Sequence, residues 1–169
     1  MRIAIISDTH DNLPNFKKAI DLIKKEQIKT VIHCGDMGRP DTLRQILKGF
    51  SNKFFLVFGN VETDYFYEEE VICKEFPNLK IFPEIGEIEI NNKKIAFCHV
   101  PKLAKVLAQT GKYNIVFYGH THKPWEEKIG ECRLVNPGNL SGIHYQSTFA
   151  VFDTKTNKLE LKILQRLRA

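Results

Sequence analysis

The chain has 169 residues, 43% of them hydrophobic and 27% charged. A chain of that length buries about two-thirds of its unfolded surface, so it needs no disulfide framework or structural metal to fold, and its composition excludes a disordered chain. The net charge of +5 is modest and spread out, with Lys17, Lys18, Lys24 and Lys25 on one stretch and Arg166 and Arg168 near the end. This reads as solvated faces rather than as a nucleic-acid groove.

Residues 3–6 form a first short apolar run, followed by Asp8-Thr9-His10. A helix is expected from about Pro14, burying Phe16, Ala19, Ile20 and Ile23. A second strand spans residues 30–34 and ends at Gly35-Asp36. The next helix starts near Pro40 or Asp41 and buries Leu43, Ile46, Leu47 and Phe50. A third strand, residues 54–58, ends at Gly59-Asn60. Residues 61–84, broken by Pro77 and Pro83, predict a short helix or an irregular cover.

Residues 85–90 and 94–98 flank Asn91-Asn92 and predict a hairpin, with His99 following. A third helix is expected over residues 102–109, stopping at Gly111. Residues 115–118 form a strand that ends at Gly119-His120-Thr121-His122. Beyond Pro124 the pattern is strands, at 125–129, 133–135, 148–153 and 159–164. Strand–helix alternation giving way to strands predicts an α/β fold of two packed sheets with helices outside. The length suggests a single domain, residues 1–169.

No apolar run reaches the ~20 residues that a bilayer crossing needs. The opening run is also too short for a secretory signal. Cys34, Cys73, Cys98 and Cys132 show no CxxC spacing, which disfavours a zinc ribbon or a redox motif. A cytoplasmic protein with reduced thiols is expected.

Five strand ends each deliver a side chain able to bind metal: Asp8 and His10, then Asp36, Asn60, His99, and His120 with His122. Open α/β sheets place their sites beyond the strand carboxyl ends, so strands in one sheet would bring these groups together. Gly35, Gly59 and Gly119 each stand immediately before a candidate ligand. Oxygen and imidazole donors suit Mn, Fe, Ni, Co or Zn, and the absence of thiolate disfavours a closed structural zinc site. Seven donors suit two ions sharing one bridging carboxylate, with Asp36 as the candidate bridge.

These motifs, with Asn136-Pro137-Gly138, resemble the calcineurin-like metallophosphoesterase superfamily, in particular the small phosphodiesterase branch that includes YfcE and Vps29. The resemblance implies a four-layer α/β/β/α sandwich of two mixed β-sheets flanked by helices. It implies that Asp8, His10 and His122 hold one divalent ion and that Asn60, His99 and His120 hold the other, with Asp36 on both. Asp36, Asn60 and His99 are the residues expected to carry catalysis. Mn2+ is the first choice of metal, with Ni2+, Fe2+, Co2+ and Zn2+ as alternatives. The Asn136-Pro137-Gly138 turn is expected to shape the site floor. Members of this branch often associate, so a homodimer is among the expected states.

The implied activity is a phosphodiesterase in which a metal-bridging hydroxide attacks phosphorus in line, with a phosphate ester as substrate. Two departures bear on it. Many superfamily members carry histidine after the motif asparagine, where it assists the leaving group; here that residue is Val61. His99 is followed by Val100 rather than by glycine. Without a donor at residue 61, poor leaving groups should suffer most, and His144 is the candidate substitute. The rival readings are a phosphomonoesterase or nucleotidase, and a Vps29-like protein-binding scaffold with Tyr65-Phe66-Tyr67 as a contact patch.

Overall fold

The computed structural model describes residues 1–62 and 69–167. Residues 65–67, the aromatic group suggested as a contact patch, lie outside the described residues. Among those described, eleven strands fall into two sheets with helices on both outer faces.

The first sheet has the order β11-β10-β1-β2-β3-β4. Its strands are β1 (Arg2–Ile6), β2 (Thr30–His33), β3 (Lys53–Val57), β4 (Leu79–Phe82), β10 (Thr148–Asp153) and β11 (Leu159–Ile163). β1 through β4 run parallel, and β10 lies antiparallel to both β1 and β11. The second sheet has the order β5-β6-β7-β9-β8, built from β5 (Ile85–Ile90), β6 (Lys93–Cys98), β7 (Ile115–Phe117), β8 (Trp125–Ile129) and β9 (Cys132–Asn136). β6, β7 and β9 are parallel, and β5 and β8 pair antiparallel at its edges. Both sheets are therefore mixed.

Side-chain alternation sorts the core into three layers. Ala4 and Ile6 of β1 face α1 (Leu13–Lys25) and α2 (Pro40–Leu47), together with Phe16, Ile20, Leu43 and Leu47. Ile3 and Ile5 face the other way and meet Ile95, Phe97, Ile115, Phe117 and Phe152 between the sheets. Ala96, Cys98, Val116 and Leu134 form the outer face of the second sheet, under Ala104, Leu107 and Ala108 of α4 (Pro101–Gln109). The result is the four-layer sandwich. Each fully buried phenylalanine contributes roughly 1.5–3 kcal/mol relative to exposure.

The helices start where the ligand loops end. Pro14, Pro40 and Pro101 occupy the first or second position of α1, α2 and α4, where the missing N–H costs nothing. Asn12 caps α1 by accepting the Asn15 N–H at 3.1 Å. Asn91 and Asn92, at φ 50° and 60°, close the β5–β6 hairpin as a tight turn with both central residues left-handed.

The described part of residues 61–84 contains the expected short helix and, in addition, a strand that the sequence pattern did not predict. The helix is α3 (Glu69–Glu75), and the strand is β4, which adds a parallel edge strand beside β3. Leu79 and Ile81 face the core beneath α2 and α3. At the far end, residues 164–166 leave the strand as a single 3-10 turn. The four cysteines are free, and no helix among the described residues is long and apolar enough to cross a membrane.

Candidate metal centre

The parallel strands β1, β2, β3, β6 and β7 deliver their carboxyl ends to one end of the sandwich, and all seven candidate ligands sit in the loops just beyond them. Donor atoms of Asp8, His10 and His122 lie within 4.8 Å of one another, as do those of Asp36, His99 and His120. In the first group His10 Nε2 is 3.1 Å from His122 Nε2, and Asp8 Oδ1 is 3.4 Å from His122 Nε2. In the second, Asn60 Oδ1 stands 3.1 Å from both His99 Nε2 and His120 Nδ1, which are 3.2 Å apart. Asp36 Oδ2 is 3.3 Å from His99 Nε2 and 3.6 Å from His10 Nε2, so it touches both groups.

The backbone is strained in step with this convergence. Asp8, His10, Asp36, His120 and His122 all have positive φ, between 45° and 71°. Left-handed residues other than glycine cost of the order of 1 kcal/mol or more each, and such strain gathers where function requires it.

Each carboxylate is also held by the neighbouring ligand loop. The His120 N–H donates to both oxygens of Asp8 at 3.1 Å, and the Val61 N–H donates to Asp36 Oδ1 at 3.1 Å. The glycines before Asn60 and His120 make room. A Cβ on Gly119 would stand 2.8 Å from Asp8 Oδ2, and one on Gly59 would stand 2.2 Å from Asp36 Oδ1.

The donor chemistry asks for a cation. His99 Nδ1 lies 2.8 Å from the Cys34 carbonyl, which fixes a proton on Nδ1. In the neutral ring, the Nε2 lone pair then faces the acceptor oxygens Asn60 Oδ1 and Asp36 Oδ2. The titration shifts reflect burial of these groups and the pairing of Asp36 with His99. Burial pushes the Asp8 carboxyl up to about 6. Burial also works to lower His99, but its hydrogen bond to Asp36 and the Asp36 charge carry it above the usual histidine range. Asp36 moves the opposite way: burial acts to raise it, and the hydrogen bond and charge of His99 overcome that and hold it low. Four imidazoles, two carboxylates and one amide fit divalent ions of borderline softness.

Other predicted residues fall around this centre. Asn136 Nδ2 donates to the Gly119 carbonyl at 2.9 Å and to Thr121 Oγ1 at 3.0 Å, so the Asn136-Pro137-Gly138 turn braces the loop bearing His120 and His122. The His144 ring lies 6.0 Å from that of His122 and is solvent-exposed.

Two functional neighbours are absent from the sequence reading. His33 is fully buried, accepts the Gly35 N–H at Nδ1 (3.2 Å) and meets Thr9 Oγ1 at Nε2 (2.9 Å). Glu62 is 1% exposed, with its carboxylate turned to backbone N–H groups of two ligand loops. A glutamate two residues beyond a candidate ligand was the only local signal for it.

A four-layer sandwich carrying oxygen and imidazole donors at its strand ends is the architecture of a metallophosphoesterase. The model of the calcineurin-like phosphoesterase superfamily domain matches residues 1–157. The chain belongs to that superfamily and is a hydrolase of phosphoric esters. It is 31% identical to phosphodiesterase MJ0936 of Methanocaldococcus jannaschii, over 98% of this chain and all of the relative. It is 22% identical to phosphodiesterase YfcE of Escherichia coli, over 83% of this chain and 80% of the relative. Among solved structures, one described as a novel archaeal phosphodiesterase superposes with a TM-score of 0.88 at 28% identity, covering 96% of this chain and 99% of its own. A zinc complex of Vps29 from Entamoeba histolytica superposes with a TM-score of 0.69 at 19% identity, over 95% and 90%, and shares the fold.

Proposed function

We propose that the chain is a metal-dependent phosphodiesterase built as one domain around two divalent ions, with Mn2+ the first choice and Ni2+, Fe2+, Co2+ or Zn2+ as alternatives. The observation that carries this reading is the single oxygen Asp36 Oδ2, 3.3 Å from His99 Nε2 and 3.6 Å from His10 Nε2. Asp8, His10 and His122 would hold one ion, and Asn60, His99 and His120 the other, with Asp36 on both. Bound there, the ions would supply Lewis acidity at the phosphoryl oxygens and make water acidic enough to act as a nucleophile at neutral pH.

The chain's own residues set the rest. Two carboxylates against two divalent ions leave a net charge of about +2, which attracts a phosphate ester and stabilises the charge that develops in the transition state. The Cys34 carbonyl orients His99, and the His120 and Val61 N–H groups hold the two carboxylates in place. Val61 offers no proton, so expulsion of the leaving group depends on its own acidity.

The full-length likeness to an archaeal phosphodiesterase at 28% identity supports a diester substrate. A Vps29-like scaffold has less support, because its likeness is one of fold and all seven donors converge here. The test is turnover of bis-p-nitrophenyl phosphate against p-nitrophenyl phosphate by chelator-stripped protein reloaded with each metal. The expected result is metal-dependent hydrolysis with the diester faster. Faster monoester turnover would point to a phosphomonoesterase, and metal binding without turnover would point to the scaffold.

A further inference from the structure

Glu62 sits behind the centre rather than in it. Its carboxylate accepts four backbone N–H groups. Oε2 takes those of Asp36 at 3.1 Å and Gly59 at 2.6 Å. Oε1 takes those of Gly38 at 3.2 Å and Met37. Three of these donors belong to the loop after β2 that carries Asp36. The fourth belongs to the loop after β3 that carries Asn60. Gly35, Asp36 and Gly38 are all left-handed, at φ 89°, 55° and 107°. That conformation turns successive N–H groups of one loop toward a common point and forms a concave anion site. The protein fills it with its own carboxylate.

We infer that Glu62 is a positioning residue, whose carboxylate fastens the Asp36 loop to the Asn60 loop and so fixes the shared ligand relative to its neighbour. The inference rests on the two-ion reading above. Its chemistry is specific to a carboxylate. Each oxygen receives two donors, so a glutamine in the same place would set its amide NH2 against two N–H groups. The Asp36 loop would then lose one or two of the three hydrogen bonds that hold it, depending on which oxygen is replaced. Aspartate keeps two acceptor oxygens one methylene further away. Outer-shell partners of metal ligands typically alter metal affinity by roughly 10–100-fold, and Asp36 touches both donor groups, so the loss should reach both ions.

The experiment titrates chelator-stripped protein with Mn2+, reading binding directly by calorimetry and by paramagnetic resonance of the free ion. It compares the parent with Glu62→Gln, Glu62→Asp and Asp36→Asn. Melting temperature is recorded for each. The expected result for Glu62→Gln is folded protein whose Mn2+ affinity falls at least ~10-fold, with activity recovering at high Mn2+. Glu62→Asp should lie between it and the parent. Mn2+ affinity in Glu62→Gln within twofold of the parent, even with a lower melting temperature, would overturn the inference and leave Glu62 as part of the folding core. Glu62→Gln binding more tightly than Glu62→Asp would overturn it as well. Should Glu62→Gln not fold, Glu62→Asp carries the comparison on the same twofold threshold. Failure of the two-ion reading looks different: Asp36→Asn would then bind Mn2+ as the parent does.

Discussion

His10 and His122 lie 112 residues apart in the chain, yet their Nε2 atoms stand 3.1 Å from each other. His122 Nδ1 faces the Ile143 carbonyl at 3.4 Å, while its Nε2 turns toward His10 and Asp8. Two imidazoles with Asp8 close by form a pocket that favours positive charge. Metal removal should therefore cost stability. An ion at 100 times its Kd stabilises the fold by about 2.7 kcal/mol. Thermal melts of parent protein with excess Mn2+ and after chelation should differ by several degrees, reversibly. Superimposable melts would argue that no ion is bound at the centre.

Gly59 and Asp36 give a mutational prediction with an internal control. A Cβ at Gly59 would meet Asp36 Oδ1 at 2.2 Å and Asp36 N at 2.5 Å. Asp36 cannot yield freely, because its carboxylate is held by the Val61 N–H. Gly59→Ala should destabilise the fold by about 1–3 kcal/mol, as overpacking does, and should lower activity. At Gly49 a Cβ meets ordinary contacts of 3.6 Å and beyond, so Gly49→Ala should change neither. Urea melts and initial rates on both variants check this, and equal activity in Gly59→Ala and the parent would contradict it.

His33 gives the pH dependence. Burial lowers it from the ordinary 6.5 to about 3. The folded state keeps the ring neutral while the unfolded chain takes a proton below pH 6.5. Stability from this source is therefore intact above pH 6.5 and falls on acidification, by about 1.4 kcal/mol per pH unit, until about pH 3. His33→Asn keeps an acceptor for the Gly35 N–H and removes the titration. Between pH 7 and pH 5 the variant should lose about 2 kcal/mol less than the parent in denaturant melts. Equal losses would show that His33 is accessible to protons in the fold.

Val61 follows Asn60, at the position where the family resemblance leads one to expect a histidine that assists the leaving group. Turnover should depend steeply on the acidity of the leaving alcohol. General acid catalysis contributes roughly 10²–10⁴-fold where it operates. Val61→His should raise turnover of alkyl esters relative to p-nitrophenyl esters by ~10-fold or more. His144, its ring 6.0 Å from that of His122, is the alternative donor within the chain. A pH–rate profile unchanged in His144→Ala would remove it from that role, and a flat leaving-group dependence in the parent would contradict the importance of Val61.

The ligand loops were legible because their signal is local. Each apolar run ends in a glycine or a polar candidate ligand within two residues. Parallel pairing of β1 with β2 and of β2 with β3 aligns three of those ends, and the parallel pair β6–β7 of the second sheet brings the other two to the same end of the sandwich. The hairpin at Asn91-Asn92 was legible for the same reason. β4 was obscured because Pro77 and Pro83 bracket only a four-residue strand whose parallel pairing to β3 is non-local. Glu62 was obscured because its donors at Asp36, Met37 and Gly38 lie 24 to 26 residues away. A glutamate in a polar loop ordinarily reads as exposed. His33 was hidden inside an apolar strand, with its partner Thr9 24 residues earlier.

The most direct measurement is anomalous diffraction at the manganese edge from crystals grown with Mn2+. The account predicts two peaks flanking Asp36, one against Asp8, His10 and His122 and the other against Asn60, His99 and His120. A single peak, or peaks that do not share Asp36, would contradict it.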